Sequence, residues 1–163
     1  MFDLHHAQKV VAHWKEQGQT VVFTNGVFDI LHVGHVTYLQ KAKELGHKLV
    51  LGLNSDASVR RLNKGPERPI NHQDARGIVL LALESVDEVV VFDEDTPLDI
   101  IKALQPDVLV KGGDYDPEEK DESSSKYLVG SKEVRTWDGQ VTTIPIVEGF
   151  STTGIVNKLR SLK

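Results

Sequence analysis

The sequence predicts a three-layer α/β sandwich built on a five-stranded, mainly parallel sheet, and three observations lead there. Short β-branched and apolar runs alternate along the chain with stretches whose apolar residues recur every three or four positions, as strands alternating with amphipathic helices do. The first such run, residues 20–24, is β-branched and aromatic without a break, the pattern of a strand covered on both faces. The chain has 163 residues, 39% of them apolar, the size and content of one domain that buries its own core.

In order, Asp3 reads as the N-cap of a first helix whose Leu4, Ala7, Val10, Val11 and Trp14 recur at helical spacing, with Gly18 as its stop. Residues 20–24 form the first strand, ended by Asn25-Gly26. From Gly34 the steps Tyr38, Leu39, Ala42, Leu45 mark a second helix, closed by Gly46. Residues 49–53 repeat the strand, and Ser55-Asp56 cap a short helix toward Leu62. Gly-Pro and Arg-Pro pairs make residues 65–69 a loop, and Asn71 caps a helix to about Glu84. Residues 86–92 give the third strand, Pro97 opens a helix, residues 107–111 give the fourth strand and residues 140–144 the fifth. Ser151 caps a last helix carrying Ile155, Leu159 and Leu162. Residues 114–125 are acidic, then Ser-rich, and read as a mobile loop. The expectation is one domain, 1–163, with an N-terminal helix in 1–18 and an acidic insertion at 114–130. Ligands of such sheets bind beyond the carboxyl ends of the strands, where the strand order switches.

Cysteine is absent, which excludes a disulfide framework, a Cys-based zinc site and a thiol nucleophile, and is compatible with a reducing compartment. The longest purely apolar run, residues 78–83, is six residues, against about 20 for a membrane span. Residues 1–14 lack a cationic start followed by a long apolar stretch. The expected setting is the cytoplasm, with no membrane partner. With 19 Lys and Arg against 24 Asp and Glu, the net charge is -5, which argues against a nucleic-acid partner, since that needs a basic stripe. The sum hides two opposed segments. Residues 114–122 hold six carboxylates and one Lys, a local -5, while residues 60–68 hold four cations and one Glu, a local +3.

The exit of the first strand reads Thr24-Asn25-Gly26-Val27-Phe28-Asp29-Ile30-Leu31-His32-Val33-Gly34-His35. His32 and His35 stand three residues apart at the mouth of a helix, hence near one face, and Gly34 allows close backbone approach between them. A helix N-terminus already favours anions through its free N–H groups and dipole, so two imidazoles added there make a phosphate site. A zinc pair is the competing reading, but zinc needs a third protein ligand and Asp29 is the only nearby candidate, so no metal is assigned to these groups. His5, His6, His13, His47 and His72 read as structural or surface residues.

Ser151, Thr152 and Thr153 open a helix, where hydroxyls and N–H groups either converge on a phosphate or simply cap. Arg60, Arg61, Lys64 and Arg68 either close over a triphosphate from their Gly-Pro loop or solvate a face. Gly112, Gly113 and Asp114 follow the fourth strand, where a base or ribose would lie, or make a tight turn. No Gly-x-Gly-x-x-Gly follows a predicted strand, and no Gly-x4-Gly-Lys-Ser/Thr occurs. That disfavours a dinucleotide-dependent oxidoreductase and a P-loop kinase.

The run Gly26-x-Phe28-Asp29-x-x-His32-x-Gly34-His35 resembles the signature of the cytidylyltransferase-like nucleotidylyltransferases, a Rossmann-like family with a His-x-Gly-His motif. The likeness extends over residues 20–161 and includes Asn54-Ser55-Asp56, Arg76, Lys111-Gly112-Gly113-Asp114-Tyr115 and Gly149-Phe150-Ser151-Thr152-Thr153. Within the family, residues 111–115, 130–134 and 151–153 are similar to members that move an adenylyl group onto heptose 1-phosphate in lipopolysaccharide biosynthesis. Those members are often fused to a sugar kinase domain, for which this length leaves no room. The resemblance implies that His32 and His35 bind nucleotide phosphates and stabilise the transition state, with Lys64 holding the leaving pyrophosphate. It implies nucleotide contacts from Thr24, Asn25, Gly26, Phe28, Gly34, Arg61, Arg68, Arg76, Gly112, Gly113, Asp114, Ser151, Thr152 and Thr153. Acceptor contacts would come from Asp29, Asn54 and Asp56.

Mg²⁺ held mainly through the triphosphate, and a homodimer, are further expectations from the same likeness. Two departures stand out. The Arg that family members often carry beside the Gly-x-Ser-Thr run is replaced by Pro145-Ile146-Val147 before it and Gly154-Ile155-Val156 after it, which makes the basic loop the candidate phosphate contact. The stretch 119–130 is also longer than in the heptose enzymes.

The implied reaction is in-line attack of an acceptor phosphate oxygen on the α-phosphorus of a nucleoside triphosphate, expelling pyrophosphate without a covalent enzyme intermediate. Catalysis is then positioning plus charge stabilisation. Cytidylyl transfer to glycerol 3-phosphate or a similar alcohol phosphate is the alternative, and a non-catalytic nucleotide-binding regulator is the alternative of another class.

Overall fold

The computed structural model describes residues 3–63, 65–113 and 115–162. Its elements run α1 (Leu4–Glu16), β1 (Val21–Gly26), α2 (Val33–Lys43), β2 (Lys48–Asn54), α3 (Asp56–Arg61), α4 (Gln73–Leu81), β3 (Glu88–Phe92), α5 (Leu98–Leu104), β4 (Val108–Gly112), α6 (Ser131–Thr136), β5 (Gln140–Ile144) and α7 (Thr152–Arg160). The five strands form one sheet in the order β3-β2-β1-β4-β5, and every pairing is parallel.

Side chains alternate across the sheet with the period of two that a strand imposes, and this divides the core in two. Val22, Leu49, Leu51, Leu53, Val89 and Val110 pack with Tyr38, Leu39 and Ala42 of α2 and Leu80 of α4. On the opposite face, Val21, Phe23, Val50, Val90 and Leu109 pack with Ala7 and Val11 of α1, Ile100, Ile101 and Leu104 of α5, and Val134 of α6. The three-layer sandwich follows directly. Trp14 lies partly buried against this second core, with the Lys48 ammonium 5.1 Å from its ring centroid. Among the described residues no helix is long and apolar enough to cross a membrane.

Most boundaries fall within two residues of the expected ones. The Asp3 side chain accepts from the His6 N–H at 2.8 Å, and Ser55 caps α3 by accepting from the Ser58 N–H at 2.9 Å. Helix α4 differs. Its N-cap is His72, without a side-chain cap bond, because the Asn71 amide is used elsewhere and donates to the Asp29 carbonyl at 2.6 Å. Helix α6 was not anticipated; it has six residues, too few for a period to show. The acidic segment is irregular, as expected, but it is tied at both ends. The Asp116 N–H donates to the Lys126 carbonyl at 3.0 Å, and Leu128, 2% exposed, enters the second core.

A buried polar network fixes the strand ends on the α2 and α4 side. The Arg76 side chain has no exposure. It donates to the Val27 carbonyl at 2.6 Å, the Asn54 carbonyl at 2.9 Å, the Asn71 carbonyl at 3.0 Å and Asp56 Oδ1 at 2.8 Å. Beside it, the sealed Asp29 carboxylate takes Arg68 Nε at 2.5 Å and the N–H groups of Ile70 and Asn71 at 2.9 and 2.8 Å. Arg68 and Arg76 were expected on the nucleotide and Asp29 and Asp56 on the acceptor; all four are committed to internal partners. Removing one partner of such a pair leaves the other charge buried and costs about 3–5 kcal/mol. Arg76→Ala is expected to lose that much in urea unfolding, whereas a loss of about 1 kcal/mol or less, the value for an exposed pair, would show that the network is not what holds the strand ends.

Candidate active site

The topology opens a crevice where the strand order switches at β1. The β1–β2 ladder continues to Gly26 opposite Leu53, while the β1–β4 ladder comprises only Val22–Val108 and Phe23–Leu109. Past that point β1 and β4 part, and the cleft lies at their carboxyl ends, as expected for open α/β sheets. It has two lobes that share Asn25, Gly26, Val27, Lys111 and Tyr115. The lobe beside the histidines is about 380 Å³ and is closed by the segment leading into α7, including Ile146, Val147, Phe150, Ser151 and Thr152. The other, about 300 Å³, runs past Asn54 toward Leu62, Asp95, Thr96 and Leu128.

His32 is the N-cap of α2 but makes no side-chain cap bond, so its ring is left for the cleft. The His32 and His35 rings stack with centroids 3.9 Å apart and 27° between planes, and Phe28 lies 5.3 Å from His35. Nδ1 of each histidine is buried without a partner; Nε2 is not sealed in this way, so that edge faces the cleft. Burial, and then the neighbouring His32, push the His35 pKa from 6.5 down to about 4. Burial also lowers that of His32. Both rings are therefore neutral at pH 7. A Cβ on Gly34 would stand 3.0 Å from His32 Nδ1 and 3.4 Å from Phe150 Cβ, so any larger residue here would press on the His32 ring. Phe28 has φ 46°, a left-handed backbone uncommon for an aromatic residue, and such strain gathers at functional loops.

Two helix N-termini meet at this lobe. Gly34 lies in the first turn of α2; Ser151 caps α7 by accepting from the Gly154 N–H at 2.9 Å, and Thr152 Oγ1 donates to the Ile30 carbonyl at 3.3 Å. Both dipoles favour an anion. Lys111 Nζ donates to the Asn25 carbonyl and Oδ1 at 2.9 and 2.8 Å, bridging the gap between β4 and β1, and lies 5.7 Å from the Tyr115 ring centroid.

Of the expected site residues, Asn25, Gly26, Phe28, His32, Gly34, His35, Gly112, Ser151 and Thr152 line the histidine lobe, and Asn54 lines the other. Thr24 is buried and shares a 2.7 Å hydrogen bond with Tyr38 OH, so it supports the wall without reaching the cleft. Thr153 and Gly113 are not among the lining residues. Arg61 is not among the lining residues of either lobe; it is exposed, with Nε on Asp95 Oδ1 at 2.6 Å and a second contact to the Asp93 carbonyl. Lys64 and Asp114 lie outside the described residues. Lys111 and the apolar wall of Ile146, Val147 and Phe150 were missed as site residues. Among the described residues no group of three or more His, Asp or Glu is placed to hold a metal ion; no protein cage for Mg²⁺ is identified, and no step below is routed through one.

Residues 23–158 match the model of the family described as cytidylyltransferase-like. The chain is 52% identical over 158 residues to a protein of Magnetococcus marinus named bifunctional protein HldE, an alignment covering 97% of this chain and 31% of the relative. It is 56% identical over 145 residues to the protein of the same name from Syntrophotalea carbinolica, covering 89% of this chain and 28% of the relative. It thus spans less than a third of the length of these curated relatives. Among solved structures it is similar to the lipopolysaccharide core biosynthesis protein of Thermoplasma volcanium, with TM-score 0.60 and 27% identity, over 80% of this chain and 98% of that one.

Histidine titration tests the geometry of the pair. With its folded pKa depressed from 6.5 to about 4, His35 contributes stability that is complete above about pH 6.5 and lost as pH falls through about 4, since the unfolded chain binds more protons in that window. NMR of the free protein is expected to give a His35 midpoint near 4, and added triphosphate is expected to raise it. A midpoint at 6.5 or above in the free protein would contradict the buried, stacked arrangement.

Proposed function

The chain belongs to the cytidylyltransferase-like family and is a nucleotidyltransferase, and from that premise we propose that it transfers the adenylyl group of ATP to a sugar phosphate, heptose 1-phosphate, with release of pyrophosphate. The observation that carries the reading is the stacked pair His32 and His35, set between two helix N-termini at the switch point of the sheet. That constellation offers neutral donors to a triphosphate.

The nucleotide enters as its Mg²⁺ complex, a substrate. Its phosphates lie against the open Nε2 edges of the two histidines and the N–H groups at the starts of α2 and α7, and the apolar wall of Ile146, Val147 and Phe150 covers the base. The acceptor phosphate needs no general base, because its second pKa is about 6 and it is largely a dianion at neutral pH. It attacks the α-phosphorus in line; the P–O bond to the β-phosphate breaks, and pyrophosphate leaves with the electron pair. Such transition states are loose, so catalysis is positioning and stabilisation of migrating charge. Neutral imidazole N–H groups strengthen their hydrogen bonds as charge builds on the bridging and equatorial oxygens. One donor of this kind is worth about 2.7–4 kcal/mol, or 10²–10³ in rate.

The test is a panel of ATP and CTP against heptose 1-phosphate, glycerol 3-phosphate and related alcohol phosphates, read by pyrophosphate release and by the mass of the product. Turnover is expected with ATP and heptose 1-phosphate. Release with CTP and glycerol 3-phosphate instead would assign the alternative transferase, and nucleotide binding without release for any acceptor would make the chain a regulator. His32→Ala and His35→Ala are each expected to lower turnover at least 100-fold, about 2.7 kcal/mol, with unchanged circular dichroism; near wild-type release by either would sink the mechanism.

A further inference from the structure

We propose that Lys111 is a substrate-contacting residue that receives the acceptor's phosphate, and that the lobe beyond it, past Asn54, Asp95 and Thr96, takes the polyhydroxylated body of the acceptor. The inference rests on the transferase reading above and adds to it a division of the cleft.

The two lobes differ in chemistry. The histidine lobe has a hydrophobic wall and two helix starts, which suit a flat base and its phosphates. The second lobe also has apolar lining, from Val27, Leu62, Pro97, Leu128 and Val129, but adds an amide, a carboxylate and a hydroxyl from Asn54, Asp95 and Thr96, and its carboxylate has no counterpart among the described lining of the histidine lobe. Such groups recognise hydroxyls. The Asp95 carboxylate pairs with Arg61 Nε at 2.6 Å and keeps further lone pairs that can accept from a sugar O–H. Lys111 lines both lobes, and among their described lining residues no other is a Lys or Arg.

That position is where the reaction has to bring two anions together. In-line attack requires the acceptor oxygen about 3–3.5 Å from the α-phosphorus, so the acceptor phosphate must stand between its own body and the histidines. Lys111 Nζ is held at that boundary by both oxygens of Asn25, on the strand end that leads into the histidine loop. A lysine suits the task because its ammonium is a compact charge that does not demand one bidentate geometry.

The experiment measures the acceptor KM by pyrophosphate release and the triphosphate Kd by calorimetry, for the same proteins. Lys111→Met is expected to raise the acceptor KM at least 10-fold with the triphosphate Kd changed less than 3-fold, and Lys111→Arg to recover part of the loss. Asn25→Ala removes one Lys111 partner but keeps the cation, and is expected to have the smaller effect on acceptor KM. Thr96→Val, on an exposed residue outside the Lys111 contacts, is expected to raise the acceptor KM about 3-fold without touching nucleotide binding, and tests the second lobe even if Lys111→Met fails to fold. An unchanged acceptor KM in Lys111→Met, an equal rise in triphosphate Kd, or a defect in Asn25→Ala as large as that of Lys111→Met would overturn the inference. Failure of the wild-type protein to turn over any acceptor would count against the transferase reading instead.

Discussion

The guanidinium of Arg76 holds the parts of the site in register. It reaches the Val27 carbonyl just past β1, the Asn54 carbonyl at the end of β2, the Asn71 carbonyl ahead of α4 and the Asp56 carboxylate at the start of α3. A buried guanidinium costs several kcal/mol in lost hydration, so it is tolerated only where acceptors surround it, and this geometry supplies them from four segments. Two residues beyond Val27, Asp29 is held in turn by Arg68 and by the backbone of Ile70 and Asn71. Phe28 lies between these two clamps in its left-handed conformation, at a strain of order 1–3 kcal/mol that the clamps over-determine. The turn they impose delivers His32 and His35 to the mouth of α2.

The cationic residues are accordingly divided by task. Arg68 and Arg76 act as buried struts, Arg68 on the Asp29 carboxylate and Arg76 on the Asp56 carboxylate and three backbone carbonyls, while the cleft presents neutral imidazoles, helix-start N–H groups and Lys111. Two unit charges of like sign 4 Å apart repel by about 4 kcal/mol at an effective dielectric of 20, so apposing two phosphorylated substrates demands compensation. Neutral donors supply part of it without locking the ground state into tight ion pairs, and interactions that strengthen only as charge migrates are the ones that raise the rate. The depressed His35 pKa, about 4, belongs to the same design: burial, and then the stacked His32, disfavour a positive charge on the ring.

Strand runs, caps and the His-x-Gly-His spacing were legible because each is a local pattern. Asp3, Ser55 and Ser151 cap as their residue types imply, and the tight space at Gly34 accords with a glycine between two histidines. The buried arginines were less legible for the opposite reason. Charge in the sequence reports that an arginine needs a partner, not which one; whether Arg68 meets a triphosphate or Asp29 is decided across 39 residues. Asn71 was misread similarly, since its capping chemistry was diverted to the Asp29 carbonyl. The position of Lys111 is not legible in the sequence, because it depends on β1 and β4 parting after two paired residues, a property of sheet register that neither segment carries alone.

The two sides of the histidine lobe are built with unequal firmness, and the inequality suits a transferase. Its floor is the end of β1, fixed by the Arg76 and Asp29 clamps and by the core. Its roof is the segment before α7 and the start of that helix, which buries none of its residues and leaves Leu159 58% exposed. Its ties are the Thr152 to Ile30 hydrogen bond, 3.3 Å long, and the exposed pair of Arg160 with Glu67. Few buried contacts and exposed bonds define the part of a fold with the lowest local stability. The histidine pair therefore sits on the rigid side, where a displacement of 1 Å would be expensive in rate, while the covering side, with the start of α7, is the one that opens at least cost.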